Sequence, residues 1–355
     1  METPYQQASA FITAHRTALA VAIVDYHYSL QPEFWQKFGE AGRLKSLRDE
    51  EYHLAYLAEA LATADLSLFL EYLQWCKVFF TGLRFPEEAI RVTFECMREL
   101  LCQQLPAELA PIVVNYLDAG LAHLARMPAT LPSFLPDGAP LVDVSRPYLQ
   151  ALLRGDRAEA SRLILHAVEH GAAVKEVYLH VFQPSRLEIG RLWQTNQISV
   201  AQEHYCTAAT QMIMSQLYPY LFSTDKHGRT LVITCVGEEL HEIGARMVAD
   251  FFELDGWDTY YLGANVPTES VLRTLAERKA DLLAISATIT PHVHGVSELI
   301  TRVRASRGSQ VKIMVGGYPF NVMPTLWQQV GADGYARDAE DAITVGNGLT
   351  DTVAP

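Results

Sequence analysis

The 355-residue chain reads as α/β plus all-α: a helical N-terminal domain, a helical bundle, and a C-terminal doubly wound parallel sheet of five strands. Three observations predict this. After residue 229, short apolar runs alternate with helical stretches. Between 145 and 223, apolar positions recur at helical spacing. Upstream, a proline-rich segment closes off an aromatic-rich helical start. The expected strands are 230–236, 259–262, 281–286, 312–315 and 334–336. Helices fill the gaps at about 243–255, 267–279, 294–306 and 323–330. Strand and helix at this spacing imply βαβ units. Gly256 follows the first of these helices and Pro267 opens the second, the usual stop and start residues.

Ligands in such sheets bind outside the carboxyl ends of the strands. Three groups fall there: Glu239-Leu-His241-Glu-Ile-Gly244, Ser286-Ala-Thr288 and Gly316-Gly317. A neutral imidazole is a good transition-metal ligand. A nearby carboxylate fixes its tautomer and direction, and a glycine lets backbone approach a bulky group. Each element has an ordinary alternative: a solvated loop histidine, a strand-end serine, a glycine turn. No G-x-G-x-x-G or Walker pattern follows a strand, so nicotinamide and nucleoside triphosphate sites are unsupported.

In order, these groups resemble the D-x-H-x-x-G, S-x-(L/T) and G-G signatures of cobalamin-binding domains. Glu239 stands where that family usually has Asp. The resemblance implies that His241 replaces the cofactor's own base as lower cobalt ligand. It also implies that Glu239 orients His241, that Gly244 lets the backbone approach the cofactor, that Ser286, Thr288, Gly316 and Gly317 line the slot for the nucleotide tail, and that Tyr335 belongs to the cofactor site. Tyr335 lies in Gly331-Ala-Asp-Gly-Tyr-Ala336, which looks like the end of such a domain.

The segment before the sheet has apolar helical periodicity through Tyr148, Leu152, Ile164, Val177, Val181 and Phe182. Its last helix, about 200–218, begins at a capping box, Ser199-Val-Ala-Gln202. Trp193 ends the preceding helix, and after nine residues Glu203-His204 follow. Their ordinary readings are a core tryptophan and a polar first turn. The trio resembles the cap of CarH-type light-sensing cobalamin proteins. That resemblance implies that Trp193 covers an adenosyl group on cobalt, Glu203 helps hold it, and His204 takes cobalt after photolysis. Corrinoid methyl carriers share the bundle-plus-sheet layout and form the main alternative. A cobalamin-sensing module without photochemistry is the third.

Composition bounds the rest. Formal charge is −13, from 28 Lys and Arg against 41 Asp and Glu, with no long basic run, which argues against direct nucleic-acid binding. No long apolar stretch suits a membrane span and the first residues are no signal peptide, so a cytoplasmic protein is expected. The five cysteines lack C-x-x-C spacing and read as reduced core thiols. The expected organisation is a helical sensory domain at 1–127, a linker at 128–144 with Pro128, Pro132, Pro136 and Pro140, a four-helix bundle at 145–225, and the cobalamin-binding domain at 226–350.

Residues 1–125 carry helical stretches near 7–29, 48–63, 66–81, 86–104 and 108–124, with Pro86-Glu-Glu as a helix start. The aromatic wealth, including Trp35, Tyr56, Tyr72, Trp75 and Phe79, suits either a helical core with a dimer surface or a chromophore pocket. The layout resembles globin-like sensory domains, and with the downstream half it is similar to photocobilins, which pair cobalamin with biliverdin. That resemblance implies an apolar slot and cations for two propionates. Arg43, Arg48, Lys77 and Arg84 are candidate cations, and Cys76 is a candidate thioether site whose ordinary reading is a buried structural thiol. The whole chain is then expected to be a light sensor carrying adenosylcobalamin, homo-oligomeric, with an unidentified signalling partner and no enzymatic activity of its own.

Overall fold

The computed structural model describes residues 2–351 apart from 87, 223 and 307–309, and not the Phe34 side chain. It divides into two compact units, Met1–Thr130 and Leu131–Pro355.

The first unit is helical: α1 (Pro4–Leu30), α2 (Pro32–Gln36), α3 (Gly39–Ala62), α4 (Leu66–Gly82), α5 (Glu88–Gln104) and α6 (Ala110–Leu124). Thr3 and Gln6 form a capping box at the start of α1, and the Asp65 carboxylate caps α4. The expected Pro86-Glu-Glu start includes Glu87, which lies outside the described residues. Leu54, Leu57, Leu61, Phe69 and Phe94 are fully buried.

In the second unit α7 (Val142–Leu153), α8 (Arg157–Glu169), α9 (Val174–Val177), α10 (Gln183–Gln194), α11 (Val200–Gln216) and α12 (Tyr218–Leu221) form the bundle. A π-helical turn, Tyr178–Phe182, joins α9 to α10. The Ser199–Gln202 capping box at α11 is present as expected. β1 (Thr230–Cys235), β2 (Asp258–Gly263), β3 (Leu282–Ser286), β4 (Lys312–Gly316) and β5 (Gly334–Ala336) alternate with α13 (Ile243–Leu254), α14 (Thr268–Arg278), α15 (Val293–Ala305), α16 (Tyr318–Val322) and α17 (Leu326–Gln329); α18 (Ala339–Thr350) closes the domain. All strand pairs are parallel, in the order β2-β1-β3-β4-β5. The order reverses between β1 and β3, so the crevice for a ligand opens past Cys235 and Ser286.

Of the expected helix 323–330 only Leu326–Gln329 forms, and a separate short helix, Tyr318–Val322, precedes it. Pro324 cannot donate a backbone N–H and disfavours helical backbone in Met323, which adopts φ −122°, ψ 85°. The helix breaks there and resumes at Leu326.

α13 joins bundle to sheet. Ile243, Met247 and Phe251, one turn apart, share the bundle core with Tyr148, Tyr178, Phe182 and Ile213. Ala245, Ala249 and Phe252 face the strands and pack with Leu231, Ile233, Leu282 and Trp257. With two apolar faces, α13 links the bundle core to the sheet core. The Tyr178 hydroxyl donates to Asp250 Oδ2 at 2.7 Å within the same contact.

Candidate cobalamin site

The loop after β1 turns on Glu238, whose backbone is left-handed at φ +67°. Glu239 follows, fully buried, with its two carboxylate oxygens serving two loops. Oε1 accepts the His241 backbone N–H at 2.9 Å and lies 2.5 Å from His241 Nδ1. Oε2 accepts the N–H groups of Thr288 at 2.7 Å and Ile289 at 3.2 Å, and His292 Nδ1 lies 3.0 Å away. One carboxylate thus ties the β1 loop to the β3 loop across the switch point. Burial alone would raise its pKa. The hydrogen bonds from His241, His292 and Thr288 outweigh that and hold the carboxyl well below the usual range.

With a carboxylate at Nδ1, His241 carries its proton there and presents Nε2 as a bare lone pair. The ring is 55% exposed, so Nε2 is available to a metal arriving from the cleft. A carboxylate behind a ligating histidine raises its basicity and fixes its orientation. Glu239 therefore reaches His241 as well as an Asp would need to. Gly244, in the first turn of α13, has no atom within 4 Å of where a β-carbon would stand.

The other expected slot residues divide. Thr288 belongs to the loop, but its backbone N–H is committed to Glu239. Gly317 has φ +109°, and a β-carbon there would come within 1.9 Å of the Ala287 carbonyl oxygen. A β-carbon at Gly316 would stand 3.0 Å from the Ala336 carbonyl oxygen. The close approach these glycines permit includes backbone to backbone. Ser286 ends β3, its carbonyl accepting the Val236 N–H. The Tyr335 hydroxyl donates to Asn321 Oδ1 at 2.7 Å.

On α11, Glu203 holds the next imidazole. His204 Nδ1 lies 2.6 Å from Glu203 Oε2, and Thr207 donates to Glu203 Oε1 at 2.9 Å. His204 is 75% exposed. Glu203, Thr207, Gln211 and Ser215 recur every fourth residue and form one stripe. Its far end meets the sheet domain: Gln211 donates to Glu242 Oε1 at 2.7 Å, and Ser215 accepts from Arg246 at 2.7 Å. Glu242 is the neighbour of His241. At 1.5 Å per residue, Glu203 stands about 12 Å along the stripe from Gln211. Trp193, half-buried near the end of α10, precedes this stripe.

Sequence reasoning missed His292, Glu242, Gln211 and Arg186. Glu242 also accepts from the Tyr261 hydroxyl at 3.0 Å. Arg186, on α10, feels the Glu203 charge. A half-buried arginine one helix away from Glu203 leaves no local pattern in the sequence.

In the first unit, Cys76 is 1% exposed, and burial pushes its thiol pKa well up. A bilin attached there would have to open the core. Arg43 is paired with Asp25 at 2.5 Å, and Lys77 donates to the Leu124 carbonyl at 2.7 Å. A cavity of about 490 Å³ is lined by His27, Gln31, Glu33, Trp35, Glu88 and Val92 among others, with no Lys or Arg in its described lining. Cys102 is exposed rather than a core thiol; the other four cysteines are buried. No described helix is long and apolar enough to cross a membrane.

Comparison with known proteins agrees with this geometry. B12 binding domain models match residues 229–344 and 144–218. Two monomethylamine corrinoid proteins of Methanosarcina mazei are each 30% identical over 202 residues, 55% of this chain and 92% of theirs. A corrinoid protein of Desulfitobacterium hafniense is 23% identical over 204 residues, 56% of this chain and 93% of its own. The solved monomethylamine corrinoid protein of Methanosarcina barkeri shares the fold, with a TM-score of 0.53 at 23% identity over 59% of this chain and 99% of that one. Fold and site define a cobalamin-binding protein. The chain belongs to the family of B12-binding corrinoid proteins. The described side chains fit that cofactor: a carboxylate-oriented imidazole, 55% exposed, and an open glycine three residues on.

Proposed function

We propose that this chain is a corrinoid carrier that holds cobalamin between the bundle and the sheet and serves a methyltransferase. The carrying observation is the alignment: bundle and sheet together reproduce 92% of the length of a monomethylamine corrinoid protein. When bound, cobalamin supplies a cobalt that accepts and releases a methyl group. His241 Nε2 would hold cobalt, and Glu239 keeps that imidazole correctly turned, with Nδ1 toward the carboxylate. The β1 and β3 loops exclude water from the carboxylate behind it. In this reading the chain carries the group, and its partner performs the transfer.

One specific observation favours a second reading, a light sensor loaded with adenosylcobalamin. His204 Nδ1 lies 2.6 Å from Glu203 Oε2; in this reading that imidazole and Trp193 would cover the upper side, which a methyl carrier has no use for. The first unit, outside both matched segments, also supports it as a place for a further input. Biliverdin belongs to this reading. The stack of Tyr56 on Tyr72, at 3.7 Å between ring centroids, speaks for an aromatic-lined domain. Glu33 and Glu88 in the cavity lining count against a dianionic bilin at that place.

Loading the purified chain with methylcobalamin or adenosylcobalamin and comparing its assembly before and after green light separates the readings. A carrier accepts both forms and keeps its oligomeric state. A sensor prefers the adenosyl form, changes its assembly and gives a photoproduct spectrum that His204→Ala alters. A red-shifted band on adding biliverdin would extend the sensor reading, and an unshifted spectrum removes the bilin from it.

A further inference from the structure

Prolines mark the helix ends around one cavity of the first unit. α1 stops at Leu30 because Pro32 disfavours helical backbone in Gln31, which adopts φ −138°, ψ 57°. The chain restarts at Pro32 as the short helix α2, which carries Trp35. Pro86 precedes α5. The cavity of about 490 Å³ lies among these ends, with Pro32, Pro86, Ala89 and Val92 in its apolar lining. A space of this size suits a small organic molecule.

His27, in the last turn of α1, lines the cavity and is only 8% exposed. Its ring meets the edge of Trp35 at 4.9 Å between centroids, and among the described residues it takes part in no hydrogen bond. Burial lowers its pKa to about 4, so the ring is neutral at neutral pH and keeps one nitrogen as an acceptor. A buried polar group without a protein partner is rare and calls for one from elsewhere. Tyr28 stacks on Trp35 at 4.6 Å and 8°, which holds the indole in place. The charges around the space are of one sign. Glu33 and Glu88 line it, the described lining holds no Lys or Arg, and neither carboxylate has an ion pair among the described residues. The negative end of the α1 dipole adds to them, and Glu88 offsets the positive start of α5. No group of metal-ligating side chains converges among the described residues.

We propose that this cavity binds a primary organic ammonium ion with an apolar body. An ammonium N–H donates to the unpartnered nitrogen of His27. Glu33 and Glu88 offset the charge, and the body lies against Trp35, Ala89 and Val92. An indole is also the aromatic side chain that attracts a cation best. An anion would meet two carboxylates with no cation to receive it. A neutral molecule could fill the space and bond to His27, but would gain nothing from the carboxylates. The site lies wholly within the first unit, so it depends on neither the carrier nor the sensor reading of the cobalamin half.

The test is a calorimetric titration of the full chain, loaded with methylcobalamin, with 2-phenylethylamine, its trimethylammonium analogue and 2-phenylethanol. The parent should bind the amine about tenfold or more tightly than the alcohol, and added salt should narrow that gap. The double variant Glu33→Gln with Glu88→Gln should lose about tenfold for both cations, as two partly exposed ion pairs would, and keep its binding of the alcohol. His27→Phe, which retains a ring beside Trp35, should lose about tenfold for the primary amine, the effect of one hydrogen bond from a charged donor. It should leave the trimethylammonium compound, which has no N–H to donate, unchanged. The glutamate variants change exposed side chains, so they carry the test if His27→Phe fails to fold. A parent that binds the amine no better than the alcohol, or not at all, overturns the proposal. So does a double variant that binds the amine like the parent, or a folded His27→Phe that weakens both cations equally.

Discussion

At the scale of the residue, the directing group is the Glu239 carboxylate, which leaves His241 only one free nitrogen. His241→Ala should give a spectrum with water or the cofactor's own base below cobalt, and weaker retention of cobalamin on gel filtration. An unchanged spectrum would remove His241 from the metal. Glu239→Gln is expected to lose about 10–100-fold in cobalamin affinity, the usual effect of removing the group behind a ligating histidine. The new amide would also point a donor at N–H groups that need an acceptor, so the β1 and β3 loops should loosen in hydrogen exchange. Glu239 and His241 were legible in the sequence because they are neighbours in a short motif. His292 was not, because it lies 53 residues from Glu239 and meets it only through the adjacency of β1 and β3. At 239, where Asp is usual, the longer Glu side chain still lies 2.5 Å from Nδ1.

At the scale of the element, strand ends and helix stripes explain why the site forms where it does. The alternation of apolar runs placed all five strands to within a residue or two, because buried parallel strands are continuous apolar segments. The capping box fixed the start of α11, and with it the phase of Glu203, Thr207 and Gln211. The π-helical turn before α10 carries no such signal, and the break at Pro324 was passed over although the proline announces it. Gly316-Gly317 was legible as a strand-end pair, but its steric reason lies in the Ala287 and Ala336 carbonyls, which come from other loops. Gly317→Ala should therefore destabilise the second unit by about 2 kcal/mol or more in urea, through strain at a positive φ and a clash with backbone. A neutral effect would mean the loop after β4 shifts freely. Ser199→Ala, which removes the α11 cap, should be destabilising by about 1 kcal/mol.

At the scale of the whole molecule, two compact units share one chain, and the family likeness resides in the second. The first was legible as helices and aromatics, yet its buried polar groups were not, since burial depends on packing that periodicity does not report. Glu50 is 3% exposed, its Oε1 has no partner, and burial raises its pKa from 4.5 to about 8. A carboxyl raised in this way favours the fold while protonated in it. Its contribution is fully present below pH 4.5 and is lost as pH rises through about 8. The shift corresponds to a contribution on the order of 5 kcal/mol. The first unit should thus melt at lower temperature at pH 9 than at pH 5, and Glu50→Gln should flatten that slope; parallel slopes in parent and variant would place the pH dependence elsewhere. The central claim, that His241 ligates cobalt from below, is tested most directly by electron paramagnetic resonance of the reduced, cob(II)alamin-loaded protein, made with histidine carrying the heavier nitrogen isotope. Ligation by His241 predicts that the triplet splitting on the cobalt lines becomes a doublet and that the change disappears in His241→Ala, whereas a triplet unaffected by the label would show the cofactor's own base still bound and contradict it.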